Sequence, residues 1–254
     1  MIDRPMILSV ETATRRGSVC LTRGNELMAS TVGEDMGSHS NTLLRQISEV
    51  LEQGHTKLQD VDLFAAAIGP GSFTGLRIGL ATIKGLAATL GKPSVGIPTL
   101  EAVARAGGAS ALTVALLPAG RGELFAQKFT VTTDGIVTAL DNPGHIDPDT
   151  VRLKYGTEPN VHWCGEGAHA HRDEISLWAE QNGFSFNELR AANTESQTGW
   201  TLAPQEFQLA GHIAALAQVR LLRNETVDPN SLTALYVRPS DAELKYGVPN
   251  AISS

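Results

Sequence analysis

Between residues 69 and 75 the chain reads Gly-Pro-Gly-Ser-Phe-Thr-Gly, and this punctuation limits what its surroundings can fold into. Before it, Val61 to Ile68 is a compact apolar run, too short for a typical helix. After it, Leu76, Leu80, Ile83, Ala87 and Leu90 recur at intervals of four and three residues. A buried strand, a tight loop and an amphipathic helix are predicted, in that order. Gly75, Gly79 and Thr82 form a stripe of small residues beside the apolar one. A glycine inside a helix costs on the order of 1 kcal/mol against alanine, so Gly79 predicts the close approach of another backbone. Gly91-Lys92-Pro93 ends the helix.

Upstream, strands are predicted over Met6 to Val10, Ser18 to Thr22 and Leu27 to Val32, with turns at Arg15-Arg16-Gly17 and at Arg23 to Glu26. Consecutive hairpins, rather than strand–helix–strand units, open the chain. Gly37-Ser38-His39-Ser40 suits a helix start, and Leu43, Leu44, Ile47, Val50 and Leu51 share one face of the helix that follows. Ser94 to Ile97 reads as a short strand and Pro98-Thr99-Leu100-Glu101 as another helix start. Downstream, Leu112 to Leu117 and Glu123 to Val131 read as strands around a turn at Pro118 to Gly122, and Asp134-Gly135 is a hairpin signal. Residues 141–160 are rich in Pro, Asp and Gly, Val161 to Gly165 reads as a strand entering a glycine loop, and Pro204 to Leu222 as a long helix. No internal repeat is visible at solenoid spacing. The predicted division is 1–105, 106–224 and a tail of 225–254.

The chain has 254 residues, enough to bury a core without disulfide or metal. Its net charge of −7 argues against a generally basic, phosphate-coating nucleic-acid binder but leaves room for a local basic patch. Cys20 and Cys164 are far apart and form no CxxC, so two reduced thiols in a cytoplasmic protein are expected. No apolar run is long enough for a membrane span or, at the start, for a signal peptide.

Two loops could carry chemistry. A strand–glycine loop–helix unit can hold a phosphate on backbone N–H groups, which makes Gly69, Gly71, Ser72 and Thr74 candidates. The known fingerprints fail: Leu76-Arg77 stands where a Walker loop needs Lys-Ser/Thr, and Thr74 where a dinucleotide loop needs glycine. A tight turn with close-packed glycines is the other reading. Glu11-Thr12-Ala13-Thr14, an acid and hydroxyls after the first strand, could hold a metal-bound water and a phosphate, or form an ordinary polar hairpin. The histidines form no zinc pattern: Leu43 stands four residues after His39, and His169-Ala-His171 reads as an exposed loop. No GxSxG is present. The small stripe on the helix after the glycine loop could dock another helix, in which case the chain acts by recognition.

Several passages together resemble one family. They are Ile7 to Thr14, His39-Ser40 with Leu43-Leu44, Ile68 to Gly79 continuing through Ala87, Gly96 to Ala102, and Tyr236-Val237-Arg238-Pro239. The chain resembles the TsaB (YeaZ) family, bacterial partners of the transferase TsaD in making threonylcarbamoyladenosine (t6A) on tRNA. The likeness is specific over residues 6–102 and thin over 103–230.

The resemblance implies an α/β, two-lobed fold of the actin/Hsp70/sugar-kinase (ribonuclease H-like) kind and a non-catalytic subunit. The transferase carries His-x3-His on the matching helix, and here Leu43 has replaced the second histidine. It also implies a helical docking face for a TsaD-like transferase or a second copy: Leu43, Leu44, Ile47 and Leu51 on the first helix, and Gly75, Leu76, Gly79, Leu80, Thr82, Ile83 and Leu86 on the second. A TsaE-like ATPase is a further expected partner. Contact with tRNA is expected only through the complex, no cofactor in this chain, and ATP and metal in the partner complex. Two departures weaken a nucleotide site here. Glu11 replaces the usual Asp, and Pro118-Ala119-Gly120 stands where the family has Asp-Ala-Arg, with Arg121 displaced by one. The alternative is an independent ATP-dependent phosphotransferase or metallopeptidase of the same superfamily.

Overall fold

The structure is a computed structural model that describes residues 4–34, 39–190 and 198–237, with side chains for all of these except 39–41. Gly37, Ser38, Arg238 and Pro239 lie outside the described residues, as does the side chain of His39.

Strands β1 (Met6–Glu11), β2 (Ser18–Arg23) and β3 (Glu26–Val32) form the predicted meander. Helix α1 (His39–Gln53), β4 (Leu63–Gly69), α2 (Phe73–Leu90), β5 (Ser94–Pro98) and α3 (Thr99–Gly107) follow. The first sheet has the order β3-β2-β1-β4-β5, antiparallel on the β2 side and parallel on the β4 side. The buried residues of β1 need cover on both faces, as the central strand of a sheet with helices on either side does.

The second lobe repeats this plan. Strands β6 (Ser110–Gly120), β7 (Glu123–Val131), β8 (Val137–Ala139) and β9 (Gly144–Ile146) precede α4 (Pro148–Tyr155). Then come β10 (His162–Cys164), α5 (Glu166–Ala170), α6 (Arg172–Gln181), β11 (Phe186–Glu188), β12 (Trp200–Leu202) and α7 (Leu209–Leu222). The sheet order β8-β7-β6-β10-β12 matches β3-β2-β1-β4-β5 position for position, with the same parallel and antiparallel pairings and β11 added at the edge. This duplicated plan is the expected two-lobed actin/Hsp70/sugar-kinase-like fold. The β6–β7 turn narrows to Arg121 and Gly122, both at positive φ (55° and 79°), the backbone of a two-residue hairpin turn.

The lobes exchange helices. From the first lobe, α3 places Leu100, Val103 and Ala104 against Ala115, Leu117 and Phe129 of the second sheet. From the second, α7 places Ile213, Ala214 and Ala217 against Ile7, Ala65 and Val95 of the first. The start of α7 is pinned at both backbone groups of Ala210: its N–H donates to Ser18 Oγ (3.0 Å), and its carbonyl accepts from Ser9 Oγ (2.7 Å). Arg220 on α7 donates to Gly96 O (2.9 Å) and Glu101 Oε2 (2.7 Å). Helices α1 and α2 cover the outer face of the first sheet, and α4 to α6 that of the second.

The fold moves several expected boundaries. The 105/106 division falls inside α3. The helix predicted from Pro204 begins at Leu209. Residues 225–237 are no separate tail: Val227 bridges to Ser94, Lys84 Nζ donates to the carbonyls of Asn230 (3.2 Å) and Leu232 (3.1 Å), and Leu235 N–H donates to Ile68 O (2.7 Å). The polar 141–160 stretch contains α4, capped by Asp147 with Pro148 at its first turn. His169 is on α5, with Nε2 bonded to Ala203 O at 2.9 Å, and His171 pairs with Glu174, so neither sits on an open loop. Cys20 and Cys164 are both buried free thiols. No helix among the described residues is long and apolar enough to cross a membrane.

Candidate functional site

The two candidate loops lock into each other. Glu11 is fully buried at the end of β1, and its carboxylate accepts the N–H groups of Ala13 and Thr14 (2.7 Å for Thr14) and the Thr14 hydroxyl (2.6 Å). Burial pushes its carboxyl above the ordinary range, opposed by the bonds from Thr14 and Ala13. Thr12 Oγ1 donates to Gly75 O at 2.8 Å, and Ser72 N–H donates to Ala13 O at 2.7 Å. A Cβ on Gly71 would meet Ala13 at 2.5 Å, and one on Gly69 would meet the Leu235 carbonyl oxygen at 2.5 Å. The phosphate reading of Glu11, Thr12, Gly69 and Gly71 is therefore corrected: these groups hold two backbone turns together and leave no cradle. Ser72 caps α2 by accepting Gly75 N–H (3.2 Å), while Thr74 is exposed on its first turn.

The buried members of the expected docking face are also corrected. Leu43, Ile47, Leu80 and Ile83 belong to the core under α1 and α2, and Leu76 to the core on the other side of the first sheet. Gly75 and Gly79 face Thr12, whose atoms come within 1.8 and 2.3 Å of where their Cβ atoms would stand. An amphipathic helix spends its apolar stripe on its own sheet first, so the predicted small stripe serves internal packing. Of the predicted set, Leu44 is exposed at 63%, and Leu51, Thr82 and Leu86 are half-buried.

The outward face of α2 carries a different series, Thr74, Ala81, Gly85 and Ala88, with half-buried Ile78 beside it packed on the core under α1 and α2. A Cβ on Gly85 would meet nothing within 4 Å. This run of small residues on the solvent side is the signal that the apolar periodicity masked. Leu44 and Ser48 are exposed on the neighbouring α1.

Between the lobes lies a cleft of about 1400 Å³, edged by the β1–β2 turn, the start of α2, the β6–β7 hairpin, α5 and the segment ending at Val237. Arg15, Arg16 and Arg77 line its first-lobe side, residues that sequence patterning did not single out. Among the described residues, no group of three His, Cys, Asp or Glu side chains is placed to hold a metal ion.

Comparison with known proteins places these features. The model of the TsaD family, tRNA N6-adenosine threonylcarbamoyltransferase, matches residues 35–244. The tRNA threonylcarbamoyladenosine biosynthesis protein TsaB of Escherichia coli is 30% identical over 149 residues, 57% of this chain and 64% of that protein. TsaB of Haemophilus influenzae is 35% identical over 101 residues, 39% of this chain and 42% of that protein. The chain thus matches less than two thirds of the length of these curated relatives. YeaZ from Pseudomonas aeruginosa has the same fold, with a TM-score of 0.72 over 91% of this chain and 99% of that one at 20% identity. The chain belongs to the TsaD family, tRNA N6-adenosine threonylcarbamoyltransferase, and within it resembles TsaB, also called YeaZ.

Proposed function

We propose that the chain is a non-catalytic subunit in the synthesis of threonylcarbamoyladenosine on tRNA, docking through α1 and α2 on a TsaD-like threonylcarbamoyltransferase. The observation that carries this reading is the outward series Ala81, Gly85 and Ala88, small side chains on a solvent-facing helix where close approach of a second helix meets no obstacle. The transferase is a relative of this chain, so it would offer helices related to α1 and α2. Related helices can pair about a pseudo-two-fold axis, and a second copy of this chain can use the same face. Leu43, where the transferase has its second histidine, is only 2% exposed and packs in the core, which fits a chain that supports chemistry done elsewhere. Docking raises the partner's rate only if its active state presents the better surface.

Reconstitution tests the reading. Unmodified tRNA, ATP, threonine and bicarbonate are incubated with the transferase and any ATPase subunit it needs, with and without this chain. Modification is expected to depend on the chain and to be lost with Gly85→Arg, which also abolishes co-purification with the transferase. Modification at full rate without the chain, or unchanged with Gly85→Arg, would sink the proposal.

A further inference from the structure

The inter-lobe cleft reverses the sign of the protein around it. The chain carries a net charge of −7, yet the cleft lining holds Arg15, Arg16 and Arg77 against a single carboxylate, Glu166, among the described residues. Two of these arginines sit over aromatic rings. The Arg77 guanidinium lies 3.8 Å from the centroid of Phe73, whose ring is 5.5 Å from that of Tyr236 at an angle of 41°. Phe73 and Tyr236 are exposed at 37% and 51%, large fractions for rings beside a cavity. Arg16 lies 4.7 Å from the Phe207 centroid and is held there by donating from Nε to Gly33 O at 3.0 Å.

Guanidinium planes and ring faces side by side suit a ligand that alternates negative charge with flat apolar surface. Phosphates pair with arginine, and bases stack on rings and on guanidinium groups. A lone nucleotide is the poorer fit. The N–H groups that could have held one phosphate are used inside the protein, those of Ala13 and Thr14 on Glu11 and that of Ser72 on Ala13. The cleft, at about 1400 Å³, also exceeds the roughly 300–1,000 Å³ usual for small-molecule sites.

We infer that this cleft binds a short stretch of single-stranded RNA, with a backbone phosphate on Arg77 and bases stacked on Phe73 and Tyr236. The choice of RNA rests on the proposed place of the chain in tRNA modification. The site itself rests on the cleft. It differs from the expectation that tRNA meets this chain only through the complex. Arg77 is on the second turn of the helix whose later turns form the docking face, so a strand held here would leave the cleft beside a docked transferase.

The test uses the isolated full chain and a fluorescein-labelled RNA of about ten nucleotides, read by fluorescence anisotropy at about 50 and about 200 mM KCl. The same sequence as a duplex, and ATP as competitor, complete the set. Saturable binding is expected, weaker at the higher salt, favouring the single strand over the duplex. Arg77→Glu and Tyr236→Ala are each expected to weaken it about tenfold. Both side chains are at the surface, and circular dichroism checks the fold. Arg77→Gln replaces Arg77→Glu if that variant loses helix. Absence of saturable binding, equal binding of the duplex, displacement by ATP at matched nucleotide concentration, or folded variants that bind as the parent does would overturn the inference. No transferase is present in this assay and no RNA in the co-purification assay, so either proposal can fail alone.

Discussion

Thr12 and Gly75 meet twice: the threonine hydroxyl donates to the glycine carbonyl at 2.8 Å, and the threonine carbonyl oxygen lies 1.8 Å from where a Gly75 Cβ would stand. Backbone fills that space, so a methyl group there must displace the turn after β1 or α2. Gly75→Ala is expected to destabilise the protein by about 3 kcal/mol or more. Gly85→Ala, on the same helix and facing open space, is expected to stabilise it by about 0.5–1 kcal/mol through helix propensity. Urea denaturation of the pair checks both signs.

Adjacent leucines on α1 separate packing from docking. Leu43 is 2% exposed and Leu44 63%. Leu43→Ala is expected to cost about 2–5 kcal/mol of stability. Leu44→Ala should change stability by less than about 0.5 kcal/mol and, on the proposed interface, weaken association with the transferase about tenfold. Denaturation curves and a binding titration on the same preparations distinguish the two.

Glu11 serves the turn that follows it. Glu11→Ala deprives the Ala13 and Thr14 N–H groups and the Thr14 hydroxyl of their acceptor in a buried site, at an expected cost of about 2–4 kcal/mol. Glu11→Gln keeps one carbonyl oxygen for the N–H groups, and the Thr14 hydroxyl can turn to accept from the new amide. It should stay within about 1 kcal/mol of the parent, with docking unchanged. Loss of docking in a stable Glu11→Gln protein would return this residue to a functional role.

His212 on α7 makes stability depend on pH. Burial, aided by Arg105, pushes its imidazole down to about 4, and Arg105 Nη1 lies 3.0 Å from its Nδ1. The neutral ring is the folded form, while the unfolded chain takes up a proton near 6.5. The contribution is therefore complete above pH 6.5 and is lost as the pH falls from 6.5 toward 4, by about 3 kcal/mol in all. His162, also depressed by burial, acts in the same direction, whereas Glu11 and Glu101, raised by burial, oppose it. His212→Gln should flatten the pH dependence of urea midpoints over this window; an unchanged slope would show that the histidine does not titrate as described.

The parts that sequence patterning located well have strong local signals. The opening meander follows turn residues and apolar alternation, and α2 follows five apolar residues at helical spacing. The second lobe was harder to see because its signals are short: β10 and β12 have three residues each and α5 has five. The duplication of the sheet order is invisible because strand pairing, not residue identity, is what repeats. At the candidate site, periodicity shows which residues share a helix face but not whether that face meets the protein's own sheet or another molecule. Periodicity therefore assigns Leu76 and Gly79 to a surface where Ala81 and Gly85 stand. The cleft arginines escape because Arg16, Arg77 and Phe207 are distant in sequence and reach one cleft only through the tertiary fold.

The exchange of α3 and α7 has a consequence for how the protein can be divided or rebuilt. A chain cut between residues 107 and 110 would deprive each half of the helix that roofs its sheet, exposing Ile7 and Val95 on one side and Leu117 and Phe129 on the other. Each half is unfinished without its opposite, so a chimera with a foreign second half would survive only if both exchanged helices were re-matched to the sheets they cross over to cover.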